Sequence, residues 1–358
     1  MAAGSDHAQA KPRPKDAGDA VTIDDKVAFL SAPSAYGAGA SPVDVRETHM
    51  SWVFLVGDDV FKLKKPVKYP FLDFSTLVAR EADCRDEVRL NRRLAPDVYL
   101  GVRALTREPG GGLAINGQGE TVDWLVHMRR LPEARMLDAV IAAGGPGEAE
   151  IDGVGALLTD FYAGLEPADI APDAYVQRFR DQHAEDWAVL EQRAFAVDGT
   201  RLDALGAAIE GFLEREGDLL ERRVREGRVV EGHGDLRPEH VCLIDPPVVI
   251  DCLEFNRSLR LVDPFDDLAC LHVECERQGA DWIGPRLMAA AGRRLDDEPP
   301  RRLLDFYTAT RACLRARLAL AHLLEPNPRT PERWPMMARG YLDIAEAAAR
   351  RLNGRAAR

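Results

Sequence analysis

The hydrophobic positions along this chain change from a β-type to a helical pattern near residue 129. Short runs with strand character come first, at 52–56, 60–63, 98–105 and 122–128. Gly57-Asp-Asp59 separates the first two runs, which is typical of a hairpin. Between the second and third runs, apolar residues at helical spacing predict a helix over 76–94. The pattern therefore predicts a small antiparallel sheet with one helix over 43–128, in the order β-β-α-β-β.

After residue 129 the apolar residues recur mostly at helical spacing. They predict helices that end near Arg228 and that span 303–324, where prolines follow. One island, 229–251, instead predicts strand, loop, strand, turn and strand. The second part of the chain is thus expected to be helical around a short β-rich island.

The length of 358 residues favours two lobes, at the usual ~100–200 residues per domain. Residues 1–20 are small and polar and predict a disordered tail, and residues 21–42 predict a short helix and a linker. The expected lobes are a β-rich N-lobe over 43–128 and a helical C-lobe over 129–358. Together they make an α+β fold.

The charge of the chain argues against two large classes of partner. The formal net charge is −12, which offers no general electrostatic surface for nucleic acid or an anionic membrane. No apolar stretch reaches 18 residues, and the N-terminus lacks the charged and apolar regions of a secretory signal. We expect a cytoplasmic protein whose partner is a small molecule.

The cysteines do not indicate a metal site or a disulfide framework. Six are scattered along the chain without a CxxC pair, at 84, 242, 252, 270, 275 and 313. They are expected to be buried, reduced thiols.

The β-rich island carries the strongest chemical signal of the sequence. It contains His233-Gly-Asp-Leu-Arg-Pro-Glu-His240, followed after a hairpin by Val248-Val-Ile-Asp251. Asp235 is predicted on a loop and Asp251 at the end of a strand. A kinase presents a catalytic and a metal-binding aspartate to one nucleotide at this spacing. Such chemistry depends on positioning and charge neutralisation, for which rigid turns are suited.

These residues resemble the protein-kinase-like fold, and the His-Gly-Asp opening is similar to the aminoglycoside phosphotransferase and choline kinase-like superfamily. Four further segments resemble an uncharacterised bacterial subgroup of it: Thr48–Leu55, Val60–Pro66, Phe71–Phe74 and Leu90–Pro96. The resemblance covers roughly residues 43–325. Some members of that subgroup carry an additional P-loop ATPase domain. No GxxxxGK[ST] occurs here, so only the kinase-like part is expected.

The resemblance implies an ATP-dependent phosphotransferase with a bilobal fold. It implies that Asp235 is the catalytic base, that His233 orients the loop, and that Arg237 contacts the transferred phosphate. It also implies that Asp251 binds the metal, and that an aspartate at 267 braces the catalytic loop from the next helix.

His240 departs from the family pattern, which has asparagine as a second metal ligand at this position. Mg²⁺ prefers oxygen, whereas imidazole suits Mn²⁺ and later transition metals, so the cofactor is expected to be ATP with Mg²⁺ or Mn²⁺. Three alternatives stay open. His240 binds a different metal, hydrogen-bonds Asp235 beside a single metal on Asp251, or marks a site that binds nucleotide but transfers poorly.

The lysines give independent support to the N-lobe assignment. The chain has seven lysines against forty arginines, yet four lysines fall within 62–68. Val60-x-Lys62 repeats the spacing of Ala-x-Lys in the kinase VAIK motif, whose lysine binds the α- and β-phosphates. Lys64 is the alternative. Glu87 on the following helix is the expected partner, rather than Glu81.

Two further parts of the site carry weaker signals. No glycine-rich phosphate loop precedes the second strand, and Thr48-His-Met-Ser51 takes its place, so Ser51 is a candidate phosphate contact. Glu274, Glu276 and Asp281 either give the acceptor pocket negative charge or form a solvated helix face.

The sequence therefore predicts an ATP-dependent kinase that phosphorylates a hydroxyl of a sugar, amino sugar, aminoglycoside-like compound or other metabolite alcohol. The alternative is a nucleotide-binding scaffold with a degenerate metal site, motivated by His240 and the missing glycine loop. A protein kinase is less favoured, because Asp251 is followed by Cys-Leu instead of Phe-Gly.

Overall fold

The computed structural model describes residues 21–69, 72–325, 328 and 330–353. The helices are α1 (Ile23–Leu30), α2 (Leu77–Asn91), α3 (Leu137–Ala142), α4 (Glu148–Ala163), α5 (Pro172–Leu190), α6 (Gly199–Arg225), α7 (Pro264–Arg277), α8 (Ile283–Leu295), α9 (Arg301–Ala321) and α10 (Arg333–Asn353). The strands are β1 (Val43–Glu47), β2 (Ser51–Val56), β3 (Asp59–Lys64), β4 (Lys68–Tyr69), β5 (Leu72–Asp73), β6 (Tyr99–Arg107), β7 (Leu113–Ile115), β8 (Glu120–Arg129), β9 (Val230–Glu231), β10 (Val241–Cys242), β11 (Val248–Val249) and β12 (Leu261–Val262).

The N-lobe is an antiparallel sheet of six strands in the order β1-β2-β3-β8-β6-β7. Side chains alternate between its two faces. Leu63 packs with Leu30 of α1 on one face, in a cluster that includes Phe54 and Leu125. Lys62 and its neighbour in register, Val126 of β8, therefore belong to the opposite face, which α2 covers. The alternation of β3 places both of its even-numbered lysines under this helix.

The C-lobe is built from helices that bury one continuous apolar core. α9 lies at its centre and packs against α5, α7 and α10, while α4 packs against α8. Phe306 of α9 stacks on Phe212 of α6, with 4.1 Å between ring centroids. Aromatic rings of this size supply much of the apolar area buried in the core.

The β-rich island lies between the sheet and the helices. It contains β9, β10 and β11: β10 pairs with β11, and β9 pairs with β12, which follows the island in sequence; both pairs are antiparallel. A 3₁₀ turn, Pro238–His240, leads from the loop after β9 into β10. These short pairs hold the loop at 232–237 and the segment after β11 on the side of the C-lobe that faces the sheet.

The predicted α+β fold is confirmed, with additions. The sheet also contains β1 and β7, and a small hairpin of β4 and β5 precedes α2. These pieces are too short or too weakly alternating to stand out in the sequence. All six cysteines are free and buried, as predicted. The disordered tail predicted for 1–20 lies outside the described residues. Among the described helices, none is both long and apolar enough to cross a bilayer.

Candidate active site

Strand β3 and helix α2 bring a lysine and a glutamate together at the back of the interlobe region. Lys62 Nζ lies 2.9 Å from Glu87 Oε1 and 3.2 Å from Asp251 Oδ1. Burial disfavours the ammonium of Lys62, but Asp251 and Glu87 outweigh it and hold its pKa well above the usual value. Glu81 instead pairs with Arg85 on the surface of α2. The structure thus places Lys62 beside Glu87, and their contact with a nucleotide stays a prediction.

Lys64 occupies a separate, fully buried position on the same face of β3. Its side chain is 1% exposed, and its Nζ lies 2.5 Å from Asp83, 2.6 Å from Glu87 and 2.6 Å from Glu254. The ammonium sits among three carboxylates whose oxygens would otherwise resemble a metal site. Lys64 is therefore an internal counter-ion for the site: it shares Glu87 with Lys62, but it contacts Asp83 and Glu254 where Lys62 contacts Asp251.

The carboxylates outnumber the lysines in this cluster. Glu87 touches both lysines, and although burial opposes ionisation, they lower its pKa. Glu254 pairs with Lys64, and burial raises the pKa of Glu254 to about 7. Burial raises the pKa of Asp83 in the same way. Burial therefore disfavours ionisation of the outer carboxylates Asp83 and Glu254, whereas the two lysines favour the ionised form of Glu87.

The catalytic loop is braced by Asp267 at the start of α7. Asp267 Oδ2 accepts from the backbone N–H of His233 at 2.8 Å, and Oδ1 accepts from that of Gly234 at 3.0 Å. The hydroxyl of Tyr162 also donates to Asp267, at 3.0 Å. His233 is fully buried and its Nε2 contacts the carbonyl of Ile250 at 2.9 Å. Asp267 therefore braces the loop as predicted, and His233 joins it to the strand that ends at Asp251.

Two residues at the end of α2 also hold the loop, and the sequence indicated neither role. Arg93 donates to the carbonyls of Glu231 at 2.7 Å and Gly232 at 3.0 Å. The side chain of Asn91 accepts from the N–H of Cys252 at 2.8 Å. Both residues belong to the Leu90–Pro96 segment on which the family resemblance rests. That segment therefore joins α2, which carries Glu87, to the backbone just before His233 and just after Asp251.

Asp235 lies in the loop with its carboxylate half-buried among cations. Arg237 Nη1 is 3.5 Å from Asp235 Oδ2, and the other end of the guanidinium pairs with Glu239. Burial raises the pKa of Asp235, but the charges of Arg237 and His240 outweigh it, so the pKa lies below its usual value. Asp235 is thus an ionised acceptor, suited to orient a hydroxyl. The predicted contact of Arg237 with phosphate is untested.

Asp251 stands at the meeting point of the two lobes. Its backbone has φ of 61°, a left-handed conformation that costs a non-glycine residue about 1–3 kcal/mol. Its N–H donates to the hydroxyl of Tyr99 at 3.2 Å. Lys62 is the main cause that lowers the pKa of Asp251. With 46% of its side chain exposed, the carboxylate is charged, accessible and held in a strained turn.

His240 fills the space between Asp235 and Asp251. Its Nδ1 lies 2.9 Å from the carbonyl oxygen of Asp235, and its Nε2 lies 3.5 Å from Asp251 Oδ2. A carbonyl can only accept, so Nδ1 donates and the neutral ring carries its lone pair on Nε2. Burial lowers the pKa of His240 and favours that neutral form. A lone pair and a carboxylate oxygen then face each other, an arrangement that a divalent cation stabilises.

The turn between β1 and β2 lies where a phosphate loop was predicted. Its polar groups bond one another: Ser51 N–H donates to Thr48 Oγ1 at 3.0 Å, and Thr48 N–H donates to Ser51 O at 2.8 Å. Ser51 is buried and is paired with Lys64 across the strands. The backbone N–H of Ser51 therefore already has a partner, and a phosphate contact by this residue is untested.

Of the acidic residues predicted beyond the loop, Glu276 is partly exposed and Asp281 is exposed, as the solvated alternative predicts, whereas Glu274 fits neither alternative. Glu274 is 2% exposed, lies 2.5 Å from Arg315 and accepts from the hydroxyl of Tyr341 at 2.8 Å. Arg277 adds a further contact at 3.4 Å. Glu274 therefore lies neither on a solvated face nor free to give a pocket negative charge.

Comparison with known proteins gives relatives without an assigned role. No family model matches the sequence. Uncharacterized proteins of Mycobacterium tuberculosis and Mycobacterium bovis are 34% identical over 289 residues, which is 80% of this chain and 56% of theirs. The chain thus spans about half the length of the curated relatives it matches.

Solved structures resemble the whole described architecture. The GDP and kanamycin complex of APH(2″)-IIia has a TM-score of 0.55 and 17% identity, and covers 90% of this chain and 98% of its own. A choline/ethanolamine kinase family protein of Mesorhizobium loti has a TM-score of 0.51 and 16% identity, covering 91% and 94%. Choline kinase of Cryptosporidium parvum has a TM-score of 0.51 and 10% identity, covering 92% and 96%. At these identities the likeness concerns the fold alone, and the chain has the bilobal α+β fold of these three structures.

Proposed function

We propose that this protein is an ATP-dependent phosphotransferase that transfers the γ-phosphoryl group to a hydroxyl of a small molecule. The observation that carries the proposal is the convergence of Lys62, Asp251, His240 and Asp235 between the sheet and the loop. Lys62 pairs with Asp251, Asp251 Oδ2 lies 3.5 Å from His240 Nε2, and His240 Nδ1 donates to the backbone carbonyl of Asp235. A lysine, a metal-binding pair and a base are the groups that this reaction uses.

The residues present fit a divalent ion. Asp251 and His240 would hold it, and an ion bound there would bridge phosphate oxygens and neutralise their charge. Lys62, kept ionised and in place by Glu87, would bind the α- and β-phosphates. The mixed oxygen and nitrogen donors favour Mn²⁺ alongside Mg²⁺.

Asp235 would position the acceptor hydroxyl and take up its proton as the new O–P bond forms and the bond from the γ-phosphorus to the β–γ bridging oxygen breaks, with ADP as the leaving group. Its lowered pKa makes it a weak base, so its main contribution is orientation of the hydroxyl. The loop that carries it is fixed by Asp267 and Arg93 from two different helices. That rigidity suits a reaction that depends on alignment.

The charges near the loop favour a neutral acceptor over a polycation. Arg237 and Arg315 both lower the pKa of Asp235, so the surroundings of this carboxylate are cationic. Glu274, which could have attracted an amine, is already paired with Arg315. We therefore favour a sugar or another neutral alcohol within the predicted range of acceptors.

The first test is calorimetry of ATP binding with Mg²⁺ and with Mn²⁺, on the wild type and on Asp251→Ala. Binding that needs both the metal and Asp251 supports the site. It would be followed by a screen that compares neutral sugars with aminoglycosides. Absence of ATP binding with either metal overturns the proposal. If neutral sugars stay unphosphorylated while aminoglycosides react, the acceptor assignment is wrong.

A nucleotide-binding scaffold is the second candidate, favoured by His240 and by the self-bonded turn at Thr48–Ser51. The substitution His240→Asn discriminates between the two. A sharp gain in ATP turnover would show that His240 marks a degenerate site. A loss would show that the histidine is tuned for the reaction. The control Lys68→Met alters an exposed ion pair on the same lobe and should change neither binding nor turnover.

A further inference from the structure

A histidine–histidine–glutamate cluster joins the two lobes away from the residues of the candidate active site. His49 lies in the turn between β1 and β2, whereas His322 and Glu325 follow the end of α9. His49 Nε2 lies 3.3 Å from His322 Nδ1 and 3.3 Å from Glu325 Oε1. His322 Nδ1 lies 2.9 Å from the same glutamate oxygen. Three potential ligand atoms, one of them on a histidine 273 positions before His322, thus form a small triangle.

The size of this triangle matches a tetrahedral metal site. Zn²⁺ binds imidazole nitrogen and carboxylate oxygen at about 2.0–2.2 Å, so two ligands of a tetrahedral ion lie about 3.3 Å apart. Two edges of the cluster have that length and the third is slightly shorter. Two imidazoles with one carboxylate are also a common ligand set for Zn²⁺, with water in the fourth position.

The neighbouring residues hold the ring of His322 in place, whereas the ring of His49 is exposed. The ring of His322 stacks on Trp334 of α10, with centroids 4.1 Å apart, which holds one face of this imidazole. His49 has 58% of its side chain exposed, and its ring lies nearly parallel to that of His322. Because imidazole binds metal in the plane of the ring, binding requires the exposed His49 ring to rotate out of the stack. No buried packing opposes that rotation.

We propose that His49, His322 and Glu325 bind a divalent transition metal ion, with Zn²⁺ as the best-fitting ion. The ion would join the β1–β2 turn of the N-lobe to the end of α9 in the C-lobe. The turn is also held by Lys65, whose Nζ donates to the carbonyl of Thr48 at 2.6 Å. Metal binding would therefore restrict the separation of the two lobes.

The test is a calorimetric titration of the full chain with Zn²⁺ after treatment with a chelator, in an excess of Mg²⁺. His49→Ala is the main variant, since an exposed side chain is removed and folding should be unaffected. Glu325→Gln keeps the shape of the third ligand and removes its charge. Loss of either should weaken Zn²⁺ binding by about tenfold or more, because even outer-shell changes have effects of that size. Co²⁺ as a second probe should give the visible absorption of a tetrahedral site in the wild type alone.

Two controls separate this site from others. His183→Gln alters the pair of the largely buried His183 and the exposed Glu210, which offers only two ligands, and should leave the titration unchanged. Asp251→Asn alters the candidate catalytic metal ligand and should also leave it unchanged. Zn²⁺ should raise the melting temperature of the wild type and not that of His49→Ala. The proposal is overturned if the wild type does not bind Zn²⁺, or if His49→Ala and Glu325→Gln bind it as tightly as the wild type. It is also overturned if only Asp251→Asn abolishes binding.

Discussion

Replacement of the buried Lys64 by methionine tests the charge arrangement of the site most directly. Methionine has nearly the length of lysine and keeps the contact with the ring of Phe74, which lies 5.2 Å from the lysine nitrogen. What is lost is the ammonium within 2.6 Å of Asp83, Glu87 and Glu254. The substitution thus removes a charge with little change in volume.

The expected cost follows from the carboxylates that stay behind. Removal of one partner of a buried ion pair costs about 3–5 kcal/mol, because the remaining charge has no compensation. Lys62 still pairs with Glu87, so the uncompensated groups are Asp83 and Glu254. The free energy of unfolding should therefore fall by about 3–5 kcal/mol near neutral pH, a large share of the ~5–15 kcal/mol typical of a domain.

The cost should depend on pH in a defined direction. Without the ammonium, burial raises the folded-state pKa of the outer carboxylates further above their unfolded values of roughly 4. The folded variant then holds protons that the unfolded chain has released. Its stability relative to the wild type is highest below pH ~4 and decreases as the pH rises through the raised pKa values.

Urea unfolding followed by tryptophan fluorescence measures this, since Trp52 and Trp124 lie in the N-lobe sheet. Lys68→Met is the matched control, because the same substitution there removes an exposed pair with Asp73. Adding Glu254→Gln to Lys64→Met should restore part of the stability. Equal effects of Lys64→Met and Lys68→Met, or a cost that is the same at pH 5 and pH 8, would refute the reasoning.

Three further substitutions examine the supports of the site. Asp267→Asn replaces an acceptor of two loop N–H groups by an amide with a single acceptor oxygen. The free energy of unfolding should fall by about 1–3 kcal/mol, and hydrogen exchange at His233 and Gly234 should become faster. Unchanged exchange would contradict the bracing role. Glu254→Gln removes a carboxyl group whose pKa burial raises to about 7. The wild type should therefore lose stability as the pH rises from ~5 to ~8, and the variant should lose less. Urea unfolding at several pH values measures the difference. Arg93→Met leaves two carbonyls before the catalytic loop without their donor, and should weaken ATP binding more than it lowers the melting temperature; a purely thermal effect would argue against coupling of α2 to the loop.

The elements of the N-lobe could be predicted because their patterns are local. The short β-type run at 60–63 and the helical spacing in 76–94 are both visible within a few neighbouring residues, so β3 and α2 were predicted within a few residues of their bounds. The aspartates at 235 and 251 could be identified for a similar reason, since a short hairpin joins them. The strands β4 and β5 were missed because a strand of two residues is too short to show a periodic pattern.

The distant contacts could not be read from the sequence. Glu254 meets Lys64 across 190 positions, and nothing in the local pattern of either residue reports that distance. The same holds for Arg93 and the catalytic loop, 138 positions apart. The sequence indicated that Lys62 and Lys64 share a face, and only the packing showed that one lies at the cleft and the other inside the protein.

The sequence by itself determined the change from a β-rich to a helical pattern, the main strands and the helix α2 of the N-lobe, and the residue types of the candidate site. These depend on periodicity and on short spacings, which are properties of neighbouring residues. The tertiary structure decided the partners: the counter-ions of Lys64, the brace at Asp267 and the orientation of His240. Burial and charge pairing arise when distant segments meet, and they set which of many similar side chains is ionised, shielded or accessible.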